Sequence, residues 1–244
     1  MIIAIVQVRM GSTRLEHKSL KDICGRPLIW HVVNRLKPSK KIDKIVLATT
    51  DNPQDDALER WALDNKIDCY RGKEEDVLDR FYQAAKNFKA DIIVRITADD
   101  PFKDPAIIDQ VIDLFEDDNL DFAYNNKPAT FPEGLDVEVF SFKSLETAWS
   151  QAKDSFSREH VTPYFYNNPG MFKRKCLTYP IDLSYLRWTI DTQEDFDMAS
   201  VVYEELFRLN ENFSMSDILS LLERRPEIAQ INSKVARSAM YKNK

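Results

Sequence analysis

Glycine is scarce: five residues among 244, where average usage would place roughly seventeen. A chain this sparing is expected to keep glycine where φ > 0 or a close backbone approach is required. Four of the five, Gly11, Gly25, Gly72 and Gly134, lie in or beside polar loops. Neither GxGxxG nor GxxxxGKS/T occurs, which disfavours a standard dinucleotide-binding fold and a P-loop kinase. Cysteine is also rare. Cys24, Cys69 and Cys176 are far apart, with no CxxC and no Cys/His cluster of zinc spacing, so free thiols of a reducing compartment are expected. No apolar run approaches the length of a membrane span and no basic leader precedes one, so the expected location is the cytoplasm. Positive charge is in deficit, 34 Lys and Arg against 40 Asp and Glu, for a net charge of -6. That balance argues against a general nucleic-acid binder.

What is present is ordinary for a globular protein: 43% hydrophobic and 30% charged residues. Apolar runs alternate with amphipathic segments at the spacing of βαβ units. The expected strands are Ile2–Val8, Lys44–Thr49, Asp68–Tyr70, Asp91–Thr97, Asp121–Tyr124, Leu135–Phe140 and Leu186–Ile190. Between them, "PLIWHVVNRL", a segment capped by Asn52 and beginning at Pro53, "DVLDRFYQAAKNF" and "PAIIDQVIDLFED" read as helices. The fold class expected is α/β, a doubly wound, mostly parallel sheet. Residues 1–244 read as a single domain. Within it, 125–185 form a mixed α/β insertion, and 213–244 a helical tail ending in "YKNK".

The first strand ends in "VRMGSTRLEHKSL", which carries Arg9, Arg14 and Lys18 within ten residues. Turn geometry needs Gly, Asn or Asp, but has no use for three cations. In an open parallel sheet, ligands bind beyond the carboxyl ends of the strands. The loops "ADDPF" and "DTQED" fall at the same rim, so cations and carboxylates there make a phosphate–metal site plausible. Each piece has a plainer reading. The cations could be solvated loop charges, Asp100 and Asp104 could serve turns or caps, and Thr192 with Asp195 could form a capping pair. Asp191 is harder to dismiss, because it closes an apolar strand. His31 reads as a packing or surface residue of a helix, and His17 has no assignable role.

"VRMGSTRLEHKSLKDICGRPLIWHVVNRL" resembles the opening A-R-x-x-S-T/K-R-L-x-x-K-x-L of the sugar cytidylyltransferases. "LATTDNPQDDAL", "YRGKEEDVLDRFYQAA", "VRITADDPFKDP", "FPEGLDVEVFSFKSLETAW", "REHVTPYFY" and "LRWTIDTQEDF" are most similar to the spore-coat polysaccharide branch. The family includes acylneuraminate and 3-deoxy-manno-octulosonate cytidylyltransferases. The likeness runs in order from residue 2 to about 208. It departs at "LEH" before Lys18, where the family usually has Pro and Gly, and at Ala98, where it has glycine.

The resemblance implies a nucleotide-diphospho-sugar transferase-like, Rossmann-like fold and transfer of CMP from CTP to an acidic or related sugar. Val8, Arg9, Met10, Gly11, Ser12, Thr97 and Ala98 would approach the nucleotide, and Arg71 and Asp76 would lie near the cytosine and ribose. Arg14 and Lys18 would meet the phosphates. Asp99 and Asp191 would hold Mg2+. Asp136, Glu138, Arg158 and His160 are the candidate sugar-facing residues. A nucleotidyltransferase using a sugar phosphate or a non-sugar acceptor, and a binding module without catalysis, are the rival readings. Tyr164, Phe165 and Tyr166, with Trp149 upstream, are expected to expose aromatic surface. Such surface marks association sites, so a homodimer through 125–185 is expected, with these aromatics roofing the sugar pocket as the alternative.

Overall fold

A computed structural model describes residues 1–12 and 14–237; the expected "YKNK" end lies outside them. In chain order the first elements are β1 (Ile2–Gln7), the short hairpin β2 (Asp22–Ile23) and β3 (Arg26–Pro27), α1 (Leu28–Leu36), β4 (Lys44–Thr50) and α2 (Asp56–Asp64). Then come β5 (Asp68–Gly72), α3 (Val77–Asn87), β6 (Ile92–Thr97), α4 (Pro105–Asp117) and β7 (Phe122–Tyr124). The remainder comprises β8 (Glu138–Ser141), α5 (Phe142–Gln151), α6 (Ser155–His160), α7 (Pro163–Asn167), β9 (Arg174–Cys176), α8 (Gln193–Leu206), α9 (Met215–Arg224) and α10 (Glu227–Gln230).

Seven strands form one sheet in the order β5-β4-β1-β6-β8-β7-β9. β8 runs antiparallel to both β6 and β7, while the β1, β4, β5 and β6 pairings and the β7–β9 pairing are parallel. The sheet is therefore mostly parallel, as the βαβ rhythm requires. β1 shows why the strands read as continuous apolar runs: Ala4 and Val6 enter one core, whereas Ile3 and Ile5 enter the other. Both faces are covered by helices, so neither can be polar. Three helix starts near the site have a local cause. Asp76 caps α3, Asp104 caps α4 ahead of Pro105, and Thr192 with Asp195 forms a capping box on α8.

Leu186–Ile190 is not a strand. It is extended, but its ladder stops at a single bridge between Arg187 and Glu133, because its neighbour is the irregular loop around Gly134. The edge strand β9 was missed in its place: "RKC" is too short and too polar to show alternation. The Asn52 side chain accepts no capping hydrogen bond; a 3-10 turn over Pro53–Asp55 intervenes before α2. The aromatics of α7 do not form an exposed patch. Phe165 is fully buried against Phe122 and Phe140, Tyr166 lies edge-on to Tyr124, and Trp149 stacks on Tyr82. A short helix presents its residues around several directions, and here most of them face the second core.

Candidate functional site

β1 and β6 lie side by side, with β4 and β5 on the far side of β1 and β8, β7 and β9 beyond β6. The loops leaving their carboxyl ends border a cleft of about 370 Å³. Val8, Arg9, Gly11, Ser12, Arg14 and Lys18 line it from the first loop, Thr97, Ala98 and Asp99 from the second, and Asp191 and His160 from later segments. A second cleft of about 170 Å³ contains Asp136 and Glu138. The two meet at Thr97, Asp99 and Asp191, which border both.

The shape of the first loop is fixed by Asp55, a fully buried carboxylate that sequence reasoning missed. It accepts from the Met10 N–H at 2.7 Å and from Thr50 N–H at 3.2 Å, tying the loop after β1 to the end of β4. Met10 is thereby buried and does not line the cleft. Gly11 lies outside the positive-φ region. An added Cβ would meet only side-chain ends, Gln54 at 3.3 Å and Glu74 at 3.6 Å, so neither of the expected reasons, φ > 0 or a close backbone approach, holds at Gly11. Gly134 is the demanding position. Its φ is +108°, and a Cβ would lie 2.8 Å from the backbone of Trp188 and Thr189.

At the junction, cations and acids neutralise one another. Lys18 Nζ lies 3.0 Å from Asp191 Oδ1, 3.4 Å from Asp99 Oδ2 and 2.6 Å from the Ile190 carbonyl oxygen. Arg14 reaches Asp191 Oδ1 at 2.9 Å. Burial alone would lower the Lys18 pKa, but Asp99 and Asp191 outweigh it and raise it above the usual lysine value. For Asp191, burial alone would raise the pKa; Lys18, Arg14 and Arg187 reverse that and hold it below the carboxylate range.

Arg187 also escaped the sequence reading. Its guanidinium is buried and bridges Asp191 Oδ2 at 3.0 Å, both oxygens of Asp195 and Glu133 Oε1 at 2.9 Å. Asp195 is fully buried and also accepts from Asp191 N–H, Thr192 N–H and Asn232 Nδ2. It thus caps α8 and aims the preceding acid. The only available signal was its place in "LRWTIDTQED", where a buried guanidinium needs more than one acid to satisfy its donors.

Four expected residues stand elsewhere. Arg71 holds Asp56 and Glu59, each at 2.8 Å, and the carbonyl oxygens of Thr50 and Asn52. Asp76 caps α3 and pairs with Arg158, which also donates to the Trp149 carbonyl oxygen. Neither these three nor Met10 lines either cleft. In the second cleft Glu138 Oε2 accepts from Arg95 at 2.6 Å, and Glu138 Oε1 from the Tyr166 hydroxyl at 2.8 Å. Burial, with Glu138 beside it, pushes the Tyr166 phenol well above its usual range, so it stays a donor. His160 borders the first cleft; burial lowers its pKa against the opposing pull of Glu159.

Among the described residues no group of three or more His, Cys, Asp and Glu side chains could hold a metal by itself. Asp99 and Asp191 are two hard oxygen donors converging on one cation, the Lys18 ammonium. That donor set fits magnesium, which takes one or two carboxylates together with substrate phosphates.

A family model described as cytidylyltransferase matches residues 3–234. An uncharacterised protein of Methanocaldococcus jannaschii is 39% identical, the match covering 96% of this chain and 95% of that one. The spore coat polysaccharide biosynthesis protein SpsF of Bacillus subtilis is 34% identical across 93% of this chain and 96% of its own. Among solved structures, a cytidylyltransferase of Leptospira borgpetersenii superposes with a TM-score of 0.90 at 33% identity, covering 97% of this chain and 99% of that one.

Proposed function

The chain belongs to the cytidylyltransferase family, and from that premise we propose that it transfers CMP from CTP to a hydroxyl of an acidic or related sugar, releasing pyrophosphate, in the biosynthesis of a surface polysaccharide or glycoconjugate. The observation that carries this reading is the meeting of two clefts at Thr97, Asp99 and Asp191. A two-substrate transfer needs two compartments with the reacting atoms at their junction. Kinship to SpsF supports the polysaccharide setting.

In this reading Val8, Arg9, Gly11 and Ser12 border the nucleotide, and Arg14 and Lys18 stabilise the charge that develops on departing pyrophosphate. Asp136 and Glu138 accept hydrogen bonds from acceptor hydroxyls, with His160 at the boundary. Asp99 and Asp191 would hold Mg2+, which would polarise the phosphate oxygens. The acceptor oxygen attacks the α-phosphorus as the bond to the β-phosphate bridging oxygen breaks, and the hydroxyl proton leaves to solvent. No side chain is assigned as general base. Among the described residues no helix is long and apolar enough to cross a membrane, and the proposed location is the cytoplasm.

The test is pyrophosphate release from each nucleoside triphosphate with magnesium and a panel of sugar acids, sugar phosphates and non-sugar alcohols. CTP with a sugar acid should be the productive pair. Asp99→Asn and Asp191→Asn should each lower the rate more than tenfold; rates within twofold of the parent would overturn the metal assignment.

A further inference from the structure

The residues proposed to bind the metal are already binding a cation. Lys18 Nζ is surrounded by three oxygens from three positions: Asp191 Oδ1 at 3.0 Å, Asp99 Oδ2 at 3.4 Å and the Ile190 carbonyl oxygen at 2.6 Å. An ammonium is a compact point charge on a flexible stem, unlike the planar guanidinium, and can stand where a small cation stands. We propose that Lys18 fills the divalent-cation position of the nucleotide-free protein, and that metal enters only as the triphosphate draws Lys18 away. The inference rests on the reading of Asp99 and Asp191 as the metal's carboxylates.

The surroundings make this an exchange of cations, with little rearrangement of the acids. The Ile190 N–H donates to the Asp99 carbonyl oxygen at 2.8 Å, which joins the two acidic segments through the backbone. Arg187 holds Asp191 Oδ2, and is itself fixed by Asp195 and Glu133, so Oδ1 is the oxygen left to face Lys18. Arg187 is buried at both ends of its ion pairs and cannot move without stranding them. Arg14, with a side chain 60% exposed, is the opposite case and can swing. Asp191 thus faces three cations at once. Adding a dication beside them is repulsive, and the repulsion is poorly screened because Lys18 and Asp191 are mostly buried. A triphosphate changes the balance, since its oxygens give Lys18 and Arg14 stronger partners and release Asp191 Oδ1 and Asp99 Oδ2. Metal and nucleotide then bind with positive coupling, which is reciprocal by linkage.

Manganese binding to the full chain, read by electron paramagnetic resonance, tests this without turnover. In the absence of nucleotide the parent should bind Mn2+ weakly, and Lys18→Met should bind it at least tenfold more tightly. The gain should vanish in Lys18→Met/Asp99→Asn, which locates the ion. In the parent, CTP should strengthen Mn2+ binding at least tenfold beyond the ion held by CTP alone. Equal Mn2+ affinity of parent and Lys18→Met would overturn the proposal. So would an affinity in the parent that CTP leaves unchanged, a result that needs no variant to fold. Coupled binding without CTP-dependent pyrophosphate release from any acceptor would preserve this inference and overturn the proposed function; pyrophosphate release with uncoupled binding would do the reverse.

Discussion

Lys18 and Arg14 stand on the same acid but differ in what holds them, and this separates their expected variants. Arg14 is largely exposed and pairs with Asp191. Lys18 is largely buried on three oxygens. Replacing either by Met removes one charge-assisted contact to the triphosphate, which should cost about 1.5–3 kcal/mol in kcat/KM. Only Lys18→Met should also alter stability, because its loss leaves Asp99 and Asp191 facing each other. Steady-state kinetics beside a urea titration measures both effects, and neutral kinetics for both variants would return the first loop to a merely solvated one. The cations were legible in the sequence because three of them in a short loop have no backbone use. Asp55 and Arg187 were not, since a buried polar residue is recognised only by the donors and acceptors that surround it, and those come from sequence-distant segments.

Local periodicity predicts well where an element is long and one-sided. α4 spans the expected "PAIIDQVIDLFED" from end to end because Asp104, Pro105 and a regular apolar stripe agree. It fails at Leu186–Ile190, an apolar stretch whose pairing depends on Gly134 across the way. Gly134→Ala tests that dependence. A methyl group there would strike the backbone of Trp188 and Thr189, and the variant should lose roughly 1–3 kcal/mol of stability, together with activity, because Asp191 follows directly. α1 offers a separate test. His31 is buried on this helix, its Nε2 lying 2.8 Å from the Ile23 carbonyl oxygen in the adjoining hairpin. Burial holds its pKa below the ordinary histidine value of 6.5. A depressed pKa means that the unfolded chain binds the proton more readily, so this stabilisation is complete above pH 6.5 and declines as pH falls towards the folded value. Thermal melts should show that decline, and His31→Gln should flatten it. With only three histidines in the chain, NMR titration can assign the shift; a His31 pKa at or above 6.5 would contradict it.

Residues 125–185 reach across the whole molecule: β8 and β9 join the main sheet, Glu138 and Asp136 border the second cleft, and α6 brings His160 to the first. The aromatics expected to face a partner pack against the second core instead, and the Tyr166 hydroxyl reaches Glu138 of the second cleft. Tyr164, Phe165, Tyr166 and Trp149 line neither cleft, so the roof reading rests on that one hydrogen bond. The same region leaves Phe156, Ile181 and Tyr185 exposed, at 58%, 64% and 70%, and a contiguous apolar patch, if they form one, is a feature of association surfaces. The homodimer expected from the sequence would then use α6 and the connection after β9, a different set of side chains from the one the sequence singled out. Sedimentation at micromolar concentration should give a species of about twice the 28.5 kDa chain mass. Phe156→Glu combined with Tyr185→Glu should return it to the monomer while Mn2+ and CTP still bind, because neither residue lines a cleft. A parent that sediments at 28.5 kDa with and without CTP and magnesium would leave 125–185 as an internal part of one chain's site.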